Sequence, residues 1–154
     1  MADATGFEPE EWALWRDFRA VQARLTLAID QQLQRDAGID QAEYGILASL
    51  FEVEDRHLRV RDLCVELGWE RSRMSHRVAQ MERRGLVSRE SVPHDGRAAW
   101  VELTPAGARM LLGAVRGHAQ LVRRAFLDLL APGEPEAMQA VLTRVLARLD
   151  HDRL

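Results

Sequence analysis

The sequence predicts a mainly α-helical chain that carries one small β-hairpin, and three observations lead there. Apolar residues recur every three or four positions over most of the 154 residues. Near the middle, two short stripes of this kind abut across a glycine. Directly after them the apolar spacing falls to two. A helix face repeats every 3.6 residues and a half-buried strand every two, so a change of period marks a change of element.

The elements follow in order. Residues 9–35 place Trp12, Trp15, Phe18, Val21, Leu25, Ile29 and Leu33 on one stripe of a long helix, which Gly38 stops. Asp40-Gln41-Ala42-Glu43 reads as a helix cap with an acidic residue three positions on, and Ile46, Leu47, Leu50 and Phe51 continue that second helix. After the polar break 54–57, a brief stripe of Val60, Leu63, Cys64 and Leu67 ends at Gly68, and Met74, Val78 and Met81 begin another. Two short helices around a turn containing glycine form the helix-turn-helix pattern. Beyond Gly85, Val87 to Val92 and Ala99 to Leu103 alternate as strands, with a turn expected at Pro93-His94-Asp95-Gly96. This hairpin is a wing. Thr104-Pro105 starts a helix expected to reach about Leu130, because Thr caps exposed amides and Pro suits the first helical position. Pro132-Gly133-Glu134-Pro135 interrupts it, and Met138, Val141, Leu142, Val145, Leu146 and Leu149 make a last stripe.

Charge separates along the chain in the same way. The formal net charge is −3. From Arg56 to Arg97, however, ten Arg stand against six acids, a local excess of +4, and the remainder carries −7. Phosphate attraction acts within about 8–10 Å at physiological salt, so a basic reading face on an acidic scaffold serves a nucleic-acid binder well. All 21 basic residues are Arg, which a GC-rich genome accounts for.

On the helix expected over 71–84, Met74, Val78 and Met81 define the core side. The opposite side holds Ser72, Arg73, His76, Gln80 and Arg83, groups that reach bases or phosphates. Arg forks onto guanine, Gln pairs with adenine, and Ser hydroxyls serve either bases or phosphates. With Arg71, Ser75 and Arg77 these are the candidate DNA-binding residues, and Arg97 joins them from the wing. An Arg on a narrow projection suits an A·T-rich minor groove. Gly96 permits a tight tip there. A solvated polar helix face is the plainer alternative.

The stretches Leu63 to Gly68 with Arg71-Ser72-Arg73-Met74-Ser75-His76-Arg77-Val78, then Met81-Glu82-Arg83-Arg84-Gly85-Leu86-Val87, then Asp95-Gly96-Arg97 with Leu103-Thr104 together resemble the multiple-antibiotic-resistance regulator (MarR) family. About 50 residues match directly. Arg73 and His76 are bulky at positions that vary in the family, so the operator sequence does not carry over. The resemblance implies a single unit over 1–154, with dimerisation helices at 8–36 and 105–150 around a winged helix-turn-helix lobe at 40–104. It implies a homodimeric DNA-binding transcription regulator, a repressor on a pseudo-palindromic double-stranded operator. It also implies that Asp95 pairs with an Arg to support the wing tip; an ordinary turn-forming Asp is equally open. A small amphipathic or phenolic effector between dimer helices and lobe belongs to the same implication, with Trp12, Trp15 and His57 as candidate lining or as plain core. The terminal apolar stripes exceed what a monomer of this size buries, which agrees with a dimer.

Other classes find less support. His57, His76, His94, His118 and His151 show no closely spaced ligand pair, so no metal and no cofactor is expected. Cys64, the single cysteine, sits on an apolar helix side and reads as a small hydrophobe, with a redox role left open. No phosphate loop or nucleophile elbow is present, and Ser75-His76 point about 100° apart on a helix, so an enzyme is not expected. No membrane span and no signal-peptide pattern occur, which places the chain in the cytoplasm, on the nucleoid when bound to DNA. The rival reading is a winged-helix interaction module without specific DNA binding.

Overall fold

The computed structural model describes residues 6–92 and 95–151, with the backbone alone for Ser91, Val92 and residues 95–98. The element order is α1 (Pro9–Ala37), α2 (Gln41–Glu52), β1 (His57–Arg59), α3 (Val60–Leu67), α4 (Arg71–Arg83), β2 (Val87–Val92), β3 (Asp95–Leu103), α5 (Pro105–Ala125), a 3₁₀ turn (Leu127–Leu129) and α6 (Glu134–His151).

Local chemistry sets the boundaries. Pro9 opens α1 behind a reciprocal cap between Glu8 and Glu11. At α2 the cap expected from sequence forms: Asp40 Oδ1 accepts the Glu43 amide at 2.8 Å, and the Glu43 carboxylate accepts the Asp40 amide. Gly68 ends α3 at φ 66°, a left-handed conformation that costs a residue without Cβ nothing. The Thr104 hydroxyl accepts the Gly107 amide at 3.0 Å and lies 2.7 Å from the Gly85 carbonyl, to which it donates. One side chain thus caps α5 and holds the exit from α4.

The chain divides into two compact units, Met1–His118 and Ala119–Leu154. The first holds the core, in which Leu33, Ile39, Ile46, Leu47, Leu50, Leu63, Met74, Val78, Met81 and Val101 are fully buried. These come from α1, the α1–α2 corner, α2, α3, α4 and β3, so the helix pair and its sheet share one apolar interior. The N-terminal half of α1 is different: Leu14, Trp15, Phe18 and Val21 are exposed. In the second unit, α6 exposes Val141, Leu142, Val145, Leu146 and Leu149.

Three expectations need correction. The wing is not a two-stranded hairpin alone: β1 pairs antiparallel with β3, His57 opposite Glu102 through Arg59 opposite Trp100, giving a three-stranded sheet in the order β1-β3-β2. Asp95 and Gly96, expected in the turn, belong to β3, which begins at Asp95 paired with Val92. Pro93 and His94 lie outside the described residues. The helix from Pro105 ends at Ala125 rather than near Leu130. Phe126 leaves helical geometry at φ −143°, though its amide still bonds to the Val122 carbonyl at 3.0 Å, and the Leu129 and Leu130 amides bond to the Phe126 and Leu127 carbonyls in a 3₁₀ turn.

Candidate nucleic-acid interface

The interface candidate is built on α4. Its position is fixed from below by Met74, Val78 and Met81, each fully buried. Because those three repeat at helical spacing, the other side of the same helix must face outward. Ser72, Arg73, His76 and Arg83 are exposed there, with Arg71 beside them at the N-terminus. Ser75 and Gln80 are half-buried on the flanks. The structure therefore places the residues expected from sequence together on this helix, with one difference in their contacts.

That difference is Arg77. Its guanidinium lies 3.0 Å from the Asp40 carboxylate, and both side chains are about one-third exposed. Arg77 thus ties α4 to the cap of α2. A second tie follows at the C-terminal end, where Arg84 donates to the Glu43 carboxylate and, at 2.9 Å, to the Gly38 carbonyl. Glu43 is buried and shared between its own cap and Arg84. The acids that cap α2 therefore also clamp α4. A third ion pair, Arg89 to Glu82 at 2.7 Å, joins β2 back to α4.

Arg73 is held in another way. Its guanidinium carbon sits 4.2 Å from the centre of the Trp69 ring. Trp69 stands in the turn, where its amide bonds to the Cys64 carbonyl at 2.9 Å just past the left-handed Gly68. The sheet has a similar arrangement: Arg59 lies over Trp100 at 4.9 Å and His57 meets the same ring edge-on at 4.7 Å. Cys64 is half-buried, and burial pushes its thiol pKa up, with the nearby Arg71 charge pulling the other way.

Asp95, Gly96 and Arg97 fall within the backbone of β3, one to three residues after the undescribed pair, and their side chains lie outside the described residues. Sequence reasoning did not single out Trp69, Arg84 or Arg59 with Trp100, and it read Asp40 and Glu43 as the cap of α2 without their ties to α4. Trp69 lies in the turn ahead of the Glu70 cap, outside α4, so helical spacing gives no signal of its contact with Arg73. The Arg59–Trp100 contact depends on the β1–β3 register and has no local signature.

Among the described residues no cluster of three metal-ligating side chains occurs. No helix among them is long and apolar enough to cross a membrane.

Comparison with known proteins agrees with this architecture. A model of the MarR family matches residues 37–98, which span α2 to the wing. Sco3205, a MarR family transcriptional regulator from Streptomyces coelicolor solved in complex with DNA, is 36% identical over 92% of this chain and 88% of its own, with a TM-score of 0.86. AbsC, a MarR family transcriptional regulator from the same organism, is 31% identical over 94% of this chain and 97% of its own, at a TM-score of 0.89. BpsR from Bordetella bronchiseptica, whose DNA binding is regulated by 6-hydroxynicotinic acid, shares the fold at 22% identity, covering 86% and 98% of the two chains with a TM-score of 0.74. A comparison with curated proteins gives no match. With two transcriptional regulators above 30% identity along most of their length, TM-scores of 0.86 and 0.89 to them, and a family model over residues 37–98, this chain belongs to the MarR family.

Proposed function

We propose that the protein is a sequence-specific DNA-binding transcription regulator that acts as a homodimer, repressing from a pseudo-palindromic operator in the cytoplasm, and that it is not an enzyme. The observation that carries this reading is the outer side of α4. Arg73, His76, Ser72 and Arg83 are exposed on a helix whose inner side is buried and which Arg77 ties down at its middle and Arg84 at its C-terminal end. Such a helix enters a major groove as a rigid body, with donors for guanine and phosphate already in place. The DNA complex of Sco3205 supports the same use of this fold. Arg97 is proposed to reach the flanking minor groove, with Asp95 and Gly96 supporting the tip. The exposed apolar residues of α1 and of α6 are proposed to be the surfaces a second copy covers, within a single functional unit over the whole chain.

The test is selection of bound duplexes from a random pool, followed by titration at two salt concentrations. The expected operator has half-sites about one helical turn apart, and affinity should fall steeply with salt. Equal affinity for selected and scrambled duplexes at physiological salt would favour the interaction-module reading.

A second reading concerns control by a small molecule. Gln32 on α1 is only 4% exposed, yet its Oε1 has no hydrogen-bond partner among the described residues, and neither has the buried Nδ1 of His118 on α5. The Tyr44 ring of α2 lies 4.5 Å from the His118 ring. Buried polar atoms without partners are costly, and a ligand with both ring and polar groups would satisfy them. We propose this place for an amphipathic or phenolic effector. Of the lining candidates chosen from sequence, Trp15 stacks on Phe18 and His57 faces Trp100. Salicylate added to the operator complex should release DNA from the wild-type protein, and release unaltered in Gln32→Leu would reject the site.

A further inference from the structure

Arg73, Arg77 and Arg84, on α4 and at its C-cap, are held in two chemically different ways, and the difference bears on which of them can read a base. Arg77 and Arg84 are held by oxygen acceptors, Asp40, Glu43 and the Gly38 carbonyl. Those bonds commit part of each guanidinium to acceptors within the protein. Arg73 is held by an aromatic ring face, 4.2 Å from the Trp69 centroid, and no carboxylate pairs with it among the described residues. Attraction to a ring face draws on the positive charge and the flat π surface of the guanidinium, while its five N–H donors radiate in its own plane. A stacked Arg is therefore ordered without being used up.

We propose that Trp69 is a specificity-positioning residue: it orders Arg73 in the free protein so that the guanidinium fork meets a guanine edge with little loss of freedom on binding. The proposal rests on the DNA-reading function above. Trp69 is suited to this because it is itself fixed. It is half-buried, its amide bonds to the Cys64 carbonyl at 2.9 Å, and it precedes the Glu70 cap of α4. A long unbranched side chain that must be frozen at an interface loses affinity, and prior ordering removes that loss. In a two-fold complex the benefit is counted at both half-sites, so its removal should weaken operator binding on the order of tenfold. Affinity for scrambled duplex, which depends on phosphate charge, should stay as it was.

The experiment titrates the full-length protein with its selected operator, with duplexes changed at the base pair whose preference Arg73→Ala abolishes, and with scrambled duplex. The variants are Trp69→Leu, Trp69→Phe, Arg73→Ala and the double variant Trp69→Leu with Arg73→Ala. Trp69→Leu should lose preference at that same base pair, Trp69→Phe should keep most of it, and the double variant should bind no more weakly than Arg73→Ala alone. Equal losses on operator and scrambled duplex, or losses that add in the double variant, would overturn the positioning role. If Trp69→Leu does not fold, the wild-type protein still decides. Arg73 side-chain methylene protons should resonate upfield in the indole ring current before DNA is added, and ordinary shifts there would reject the contact. Wild-type protein that ignores sequence altogether would instead remove the DNA-reading function on which the proposal stands.

Discussion

At the exit of α4, Arg84 donates to a carboxylate that is itself almost out of water, and the two partners are buried unequally. The Glu43 side chain is 6% exposed and that of Arg84 is 41% exposed. Removing Arg84 strands a buried charge that keeps only its bond to the Asp40 amide, whereas a cation freed from Glu43 still reaches solvent. Arg84→Ala should therefore cost about 2–3 kcal/mol in urea unfolding, and Glu43→Gln, which keeps shape and one acceptor, about half that. The reverse order of the two would contradict the clamp. His118 gives a second expectation. Burial lowers its pKa from the ordinary 6.5, so the native state resists the proton that the unfolded chain takes up. Stability should fall as the pH drops below about 6.5 and go on falling down to the native pKa. Thermal unfolding between about pH 7 and pH 5 should thus decline more for wild type than for His118→Gln, and parallel profiles would show that His118 is not desolvated in solution.

Between elements, the close approach of α5 to the wing base is set by one residue. A Cβ at Gly107 would collide with the Leu86 backbone carbonyl and stand 2.9 Å from Leu103 Cδ1 and 3.1 Å from Leu47 Cδ2. Gly113, on the same helix, would meet nothing within 4 Å. Alanine normally favours a helix over glycine by about 1 kcal/mol, so Gly113→Ala should raise stability by roughly that amount. Gly107→Ala should lower it by about 2–3 kcal/mol, because a backbone carbonyl cannot step aside as a flexible side chain can. Opposite signs in one denaturation series are the expected result. The same elements show what could be read in advance. Met74, Val78 and Met81 revealed the inner side of α4 because helical period is local, and the Asp40–Glu43 cap was legible because its partners are three residues apart. β1 was not legible: His57-Leu58-Arg59 carries one apolar residue, and its strand character comes from β3, far along the chain. The roles of Arg77 and Arg84 were hidden for the same reason, since their acceptors lie 37 and 41 positions earlier.

For the whole molecule, the proposed assembly has to account for large side chains left at the surface. Trp15 is 44% and Phe18 50% exposed on α1, and α6 adds Leu146 at 60%. At about 25 cal/mol per Å² of apolar surface removed from water, covering such faces sustains a stable dimer. Light scattering at micromolar concentration should report near 35 kDa, about twice the 17.5 kDa chain, and Phe18→Glu should shift the distribution toward monomer. A persistent monomer in the wild type would remove the basis for a two-half-site operator. The most direct test of the central claim, that α4 reads base sequence from its exposed side, is a competition titration of Arg73→Ala and His76→Ala against operator point mutants at two salt concentrations. Each variant should lose about 1–3 kcal/mol on the best operator and relax its preference at particular base pairs, while its affinity for scrambled duplex changes less. Base preferences identical to wild type in both variants would contradict the assignment of α4 as the reading helix.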